Sequence, residues 1–317
     1  MKKQFGIHEA ALLALLIALM AWAASTDPSF VQMNVQLELS RHVWELAILA
    51  LPMALVILTG GIDLSVGSAL SLSAVTLGML NARGVPMVLA ILAAVVTGLV
   101  CGLLNGLFIS RWNIHPLIVT LATMAAFRGI AEGVSKAESF SDFPGWFSVI
   151  GQKDWLGFPI SGWVFIVLFV LFAVVLMKSK FGRELKMIGL NELATRFSGI
   201  PVSRVKMTAY ALSGLAAGIA AVLLSSRQNT AKADLGSGME LEVITAVVLG
   251  GVSIHGGKAT VPGVLLGVLL VHELKKFVDW HWQMSEIYPI AIGAILVLSV
   301  LIQHLFSKRS RAGASPV

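Results

Sequence analysis

The chain returns again and again to one length of apolar run, close to the thickness of a bilayer's hydrocarbon layer. Ten such segments, at about 7–24, 43–60, 64–80, 86–110, 115–134, 161–178, 206–226, 240–254, 261–276 and 285–306, take up most of its 317 residues. A helix rising 1.5 Å per residue needs about 20 mostly apolar residues to cross that ~30 Å layer. The expected fold class is all-α: a polytopic membrane protein of about ten transmembrane helices. The third and eighth segments are short or interrupted by glycine, so broken or re-entrant segments are expected near 60–68 and 250–260. No polar stretch is long enough for a separate soluble domain, so residues 1–317 read as one transmembrane domain.

Composition closes the other routes. With 57% hydrophobic and 13% charged residues, the chain lacks the charge to cover a soluble fold of this size. Cys101 is the only cysteine and lies inside an apolar run, which excludes a disulfide-stapled secreted domain. The net charge of +6 is explained by topology. With both termini cytoplasmic, 14 of the 23 Lys and Arg fall inside, including Lys2, Lys3, Arg111, Lys258, Lys308, Arg309, Arg311 and the cluster in 178–206. Without a basic stripe and interleaved aromatics, nucleic acid is not an expected partner. Lys2–Lys3, the apolar run and Ala21-Trp22-Ala23 also have the form of a cleaved signal peptide. Glu9 interrupting that run, and the further spans that follow, favour an uncleaved first span.

Several stretches imitate catalytic motifs and fail. Gly251 to Ala259 resembles a phosphate-binding loop but has Val252 in place of the first required Gly and Ala259 in place of the hydroxyl. His272-Glu273-Leu274-Lys275-Lys276 lacks the second His of a zinc helix. The other histidines are scattered, and no Ser-His-Asp or Cys-His set can be assembled. No catalytic residue, metal or cofactor is expected on this chain.

Three stretches carry information. Gly60-Gly61-Ile62-Asp63-Leu64-Ser65-Val66-Gly67-Ser68 places a carboxylate between two apolar runs. Asp63 there is either a turn residue capping the next helix through the Ser65 or Val66 N–H, or part of a transport path or gate. Gly250-Gly251-Val252-Ser253-Ile254-His255-Gly256-Gly257 partly echoes it after another even-numbered span. Gly60, Gly61, Gly67, Gly250, Gly251, Gly256 and Gly257 are the expected helix-break glycines. The loop 178–206 has seven basic and two acidic residues, and inside it Asn191 to Gly199 reads as a two-turn helix. Asn191 supplies the N-cap, Gly199 the C-terminal stop before Pro201, and Leu193 and Phe197 share a face. So short a helix needs a surface to dock on, either anionic membrane lipid or a partner protein. The outside loop 135–160 carries Phe140, Phe143, Trp146, Phe147 and Trp155, suited to the membrane interface.

The run Leu58 to Ser68 resembles the signature of the ribose/rhamnose-type permeases of bacterial ABC sugar importers. Gly102-Leu103-Leu104-Asn105-Gly106, Gly189 to Ile200, and Gly238 through Lys258 match the same family in order and spacing. The resemblance implies a permease subunit of the bacterial inner membrane that works as a pair, with a second copy or a sister permease. It further implies two cytoplasmic ABC ATPase subunits that hold the ATP and Mg, and a periplasmic sugar-binding protein. Asn191 to Gly199 would be the coupling helix, with Leu193 and Phe197 as anchors and Glu192 and Arg196 as polar contacts. Asp63, Ser65 and Asn105 fall at family-matching positions for the translocation path or gate. Leu190, His255 and Ala259 depart from the family pattern, which leaves the class intact and the cargo open. Ribose, a deoxyhexose such as rhamnose, and a furanose-like signalling molecule all fit. The rival is an ion-coupled secondary transporter of a small polar solute, which would need ionisable groups near mid-span. Outside Asp63 the carboxylates of the spans lie near their ends.

Overall fold

A computed structural model describes residues 6–282 and 287–312. Lys2 and Lys3, and the side chains of Lys308, Arg309 and Arg311, lie outside the described residues. The first half of the chain forms α1 (Ile7–Thr26), α2 (Met33–Ser40), α3 (Trp44–Leu58), α4 (Val66–Ala82), α5 (Met87–Arg111), α6 (Pro116–Ser135) and α7 (Gly145–Gln152). The second forms α8 (Ile160–Lys178), α9 (Lys180–Leu190), α10 (Glu192–Phe197), α11 (Val202–Gln228), α12 (Met239–Leu249), α13 (Val261–Trp282) and α14 (Ile287–Ala312). A two-residue hairpin, β1 (Asp154–Trp155) with β2 (Phe158–Pro159), is the only sheet among the described residues. The fold is all-α, and the ten expected segments each become a helix.

Not all ten can cross a bilayer alone. α1, α5, α6, α8 and α11 are long and apolar enough by themselves. α3 has 15 residues and is bent 56° from α2, and α12 has only 11. At 1.5 Å per residue α12 covers about 16 Å, half the hydrocarbon layer. The chain reaches α12 through one bridge and a run of turns. Ala231 pairs with Phe140, and Gly236 N–H then donates to Ser71 Oγ at 3.1 Å, part-way down α4. The stretch before the eighth segment is thus irregular chain whose Leu235, Ser237 and Met239 N–H groups donate to the Lys232, Asp234 and Gly236 carbonyls, as backbone at membrane depth must be satisfied within the protein.

Contacts between elements define two ends of the bundle. At one end the start of α1 meets the segment after α12: Thr260 Oγ1 donates to Glu9 Oε1 at 2.7 Å, and His8 Nε2 lies 3.1 Å from Leu249 O. The basic loop 178–206 lies at this end, because Gly189 of α9 abuts Leu58 and Gly257. At the other end Trp280 Nε1 donates to Asp27 Oδ2 at 2.8 Å, Arg41 reaches Asp154 at 2.9 Å, and Arg227 reaches Glu45 at 2.9 Å. Successive long helices therefore run in alternating directions.

The centre of the bundle is the α5–α11 pair. In lipid, helices gain no hydrophobic drive by meeting, so association rests on close packing of small residues. Gly98 and Gly102 on α5 face Gly214 and Gly218 on α11. A Cβ on Gly214 would sit 2.2 Å from Gly98 O and 2.5 Å from Gly102 N.

The aromatics of 135–160 divide rather than lying together at an interface. Phe143 and Phe147 are buried and stack edge-on, and Phe140 is half-buried against Gly78. Trp146 and Trp155 remain exposed. Pairing of Phe140 with Ala231 gives these rings a protein surface to cover.

Gly214→Val should force α5 and α11 apart at an overpacking cost of about 1–3 kcal/mol, lowering the yield of monodisperse protein by about tenfold. Gly129→Ala, whose added methyl meets nothing within 4 Å, should behave as wild type. Size-exclusion of detergent-solubilised protein reads both.

Candidate functional site

The first break, residues 59–65, is held by a chain of side-chain hydrogen bonds. Asp63 Oδ1 accepts from Ser65 N–H at 3.0 Å and from Ser65 Oγ at 2.7 Å, and Asp63 Oδ2 accepts from Ser213 Oγ at 2.8 Å on α11. Asn105 Nδ2 on α5 donates to Ser65 Oγ at 2.7 Å, and Thr123 Oγ1 on α6 donates to Asn105 Oδ1 at 2.7 Å. Asp63, Ser65 and Asn105 thus come together and are buried, at 2%, 1% and 1% exposure. Their network ties the break to α5, α6 and α11. Both carboxylate oxygens of Asp63 are engaged within the protein, so in this conformation it braces the turn ahead of α4. Gly61 completes the fit, because a Cβ there would lie 2.3 Å from the buried Tyr210 hydroxyl.

The second break lies against the first. Gly257 N–H donates to Leu58 O at 2.9 Å, which explains why the two glycine-rich stretches follow parallel spans. Gly60, Gly251, Gly256 and Gly257 have φ between 78° and 85°, the left-handed region that other residues enter only with strain. Gly61 and Gly250 stand at the breaks without positive φ. Gly67 lies inside the first turn of α4, where a Cβ would meet Gly236 O at 2.4 Å. Its place is close approach to the turns at 233–238 rather than a break.

Onto this junction sits α9, a helix the sequence reading left within a polar loop. Ser179 caps it, its Oγ accepting Gly182 N–H at 2.9 Å, and Leu185 and Ile188 are buried. A Cβ on Gly189 would be 2.0 Å from Leu58 O and 2.2 Å from Gly257 N, so the α9 backbone touches both breaks at once. The side chain of Leu190 lies over Gly257.

Asn191 then caps α10, its Oδ1 accepting Ala194 N–H at 2.9 Å, and Gly199 at φ 79° ends the turn. The helix proper is Glu192–Phe197, shorter than the 191–199 expected because Ser198 is already the C-cap. Glu192 receives Arg196 at 3.2 Å and Lys206 at 2.5 Å, which ties α10 to α11. Leu193 and Phe197, four residues apart on α10, are 64% and 85% exposed, and Leu190 at the end of α9 is 70% exposed. An apolar face this open, presented by so short a helix, is a contact surface without its partner.

One basic residue stands inside a span. Arg128 lies twelve residues into α6, and its Nε and one terminal nitrogen are buried without a hydrogen-bond partner among the described residues. A guanidinium so placed in a spanning helix marks a functional position by its cost alone. Glu132, four residues on, forms no ion pair with it. Its sequence signal was an Arg well inside an apolar run. No group of three or more His, Cys, Asp or Glu able to hold a metal occurs among the described residues.

Comparison with known proteins gives a consistent answer. The family described as branched-chain amino acid transport system/permease component matches residues 37–302. The chain is 36% identical over 307 residues to the Autoinducer 2 import system permease protein LsrD of Escherichia coli (strain K12), covering 95% of this chain and 93% of that protein. The protein of the same name from Shigella flexneri matches at the same identity and coverage.

Asp63→Ala would leave the Ser65 and Ser213 hydroxyls without their acceptor, at a cost of about 1–3 kcal/mol, whereas Asp63→Asn keeps an acceptor. Thermal unfolding of the purified protein should therefore show a drop of several degrees for the alanine variant and a smaller one for asparagine.

Proposed function

The chain belongs to the branched-chain amino acid transport system/permease component family, and on that premise we propose that it forms the translocation path of an ATP-driven importer for a small sugar-like solute. It is a transporter component rather than an enzyme. The observation that carries the mechanism is the exposed pair Leu193 and Phe197 on α10, which follows directly on α9, whose backbone at Gly189 touches both breaks.

In this reading that face seats in a groove of a cytoplasmic ATPase, which holds the ATP and Mg. Closure of the ATPase pair moves α10, and α9 passes the movement through Gly189 to Leu58 and Gly257. The breaks then tilt α3, α4 and α12 and switch the path between outward and inward states. The apolar face favours a protein groove over the anionic leaflet, which would be drawn to charge. The basic-loop end is cytoplasmic, both termini with it, and the permease pairs with a second copy or a sister subunit in the bacterial inner membrane. A periplasmic binding protein delivers cargo at the opposite end. The relatives are named for autoinducer 2, which makes a furanose-like signalling molecule the favoured cargo over ribose or rhamnose.

Co-expression with the cognate ATPase tests the coupling. Phe197→Ala should weaken ATPase retention by about thirtyfold, the loss of a ~2 kcal/mol anchor, and Arg196→Glu should abolish uptake. ATPase retained and uptake intact in both variants would sink the reading. Uptake assays in cells with autoinducer 2, ribose and rhamnose should show saturable transport of the first. Transport that stops with a protonophore but survives ATP depletion would instead mark an ion-coupled carrier.

A further inference from the structure

At the end of the bundle away from 178–206, the helices enclose a polar cavity of about 290 Å³. Its walls come from the α2–α3 turn, the end of α11, the start of α12 and one face of α13. That volume approaches the lower end of small-molecule sites, about 300 Å³. Among its lining residues three cations, Arg227, Lys275 and Lys276, face two carboxylates, Glu45 and Glu242. Each carboxylate is paired through one oxygen: Arg227 Nε lies 2.9 Å from Glu45 Oε1, and Lys275 Nζ lies 2.6 Å from Glu242 Oε1, while Glu45 Oε2 is buried without a partner. Lys275 is held further by the Tyr288 ring, 4.6 Å from its ammonium. Lys276 makes no hydrogen bond or ion pair among the described residues. Asp279, on its own helix, acts on it without closing an ion pair. Glu242 and, on its own helix, Glu273 also act on it from a distance, so the lining carries one more cation than carboxylate and Lys276, half-buried, is the cation without a closed ion pair.

The exposed lining residues, His42, Gln228 and Ser237, lie in or beside connecting segments rather than on the flanks of the helices. The cavity opens to water at this end. We propose that it is a binding site for a small oxyanion, a carboxylate or phosphate group entering from the aqueous phase, with Lys276 as the principal charge partner and Arg227 and Lys275 at its sides. A lipid phosphodiester offers the same chemistry from another source. The opening at the connecting segments favours the soluble one. The site goes beyond the importer reading and does not depend on it, since binding is measured without transport.

The test uses the full chain in phosphatidylcholine nanodiscs, titrated with inorganic phosphate by calorimetry and followed by thermal unfolding. Saturable one-site binding is expected, weakened by at least about tenfold in Lys276→Met, as befits loss of a charged hydrogen bond. Glu242→Gln, which frees Lys275, should tighten binding several-fold, a gain that a purely structural role would not produce. This holds even if Lys276→Met fails to fold. Lys153→Gln, an exposed cation at the same end, should leave binding unchanged. The proposal is overturned if phosphate shows no saturable binding, if Glu242→Gln does not tighten it, or if folded Lys276→Met binds as wild type. Stabilisation by phosphatidylglycerol nanodiscs with no response to phosphate would likewise overturn it, by making a lipid the ligand.

Discussion

The arrangement of the inner end depends on a contact with no side chain in it. At Gly189 the backbone of α9 rests on the carbonyl of Leu58 and the N–H of Gly257, which bond each other at 2.9 Å. Three segments far apart in sequence meet at main-chain distance, and a single methyl group at Gly189 would overlap two of them. Contact of this kind has no soft layer. A side-chain interface absorbs a small displacement by rotamer change, whereas backbone against backbone can only move together. Gly257 within it, and Gly60 and Gly256 beside it, hold left-handed angles, so the chain bends at the contact and next to it.

The hydrogen bonds around Asp63 act on the same junction from the other side. They fasten the first break to α5, α6 and α11, and α11 is locked to α5 by facing glycines. The break is thus stiff toward the centre of the bundle and joined by bare backbone to α9. α10 extends from α9 through the Asn191 cap and is anchored to α11 by Glu192 and Lys206. Two routes therefore lead from the exposed Phe197 face into the bundle, one through the breaks and one along α11.

Much of this was legible in the sequence because the bilayer allows so few solutions. Helix number, the two breaks and the Asn191–Gly199 turn follow from run length, paired glycines and capping residues, each a local signal with a local cause. The echo between Gly60–Ser68 and Gly250–Gly257 was weak as a pattern, yet the two stretches lie against each other. What could not be read was contact at a distance. Gly189 looks like any helix glycine until Leu58 and Gly257 are placed beside it. α9 was hidden because its polar composition masks an amphipathic period, with Leu185 and Ile188 on the buried side. The half-length of α12 was legible only as a short eighth segment behind a polar stretch, without the contacts of that stretch with α4. The depth of Arg128 and Lys276 was hidden as well, because a count of basic residues by side does not ask how deep each one sits.

Charge is distributed differently at the two ends, and the difference follows from what each end must satisfy. At the inner end basic residues crowd the 178–206 loop, most of them in water, while the contact surface itself is apolar. A groove that receives Leu193 and Phe197 is selected by shape and burial, and the surrounding cations steer the approach without entering it. At the outer end the cations are drawn in among the helices, where Arg227 and Lys275 are spent on Glu45 and Glu242 and Lys276 is not. Pairs buried this way add little net stability over apolar packing, so two of them around a cavity are poor scaffolding. They make better sense as walls: each matched pair keeps its cation in place and leaves the remaining charge to whatever enters. If both proposals hold, the chain presents an apolar surface where a protein partner grips and releases, and a cation without a closed ion pair where a small solute arrives from water.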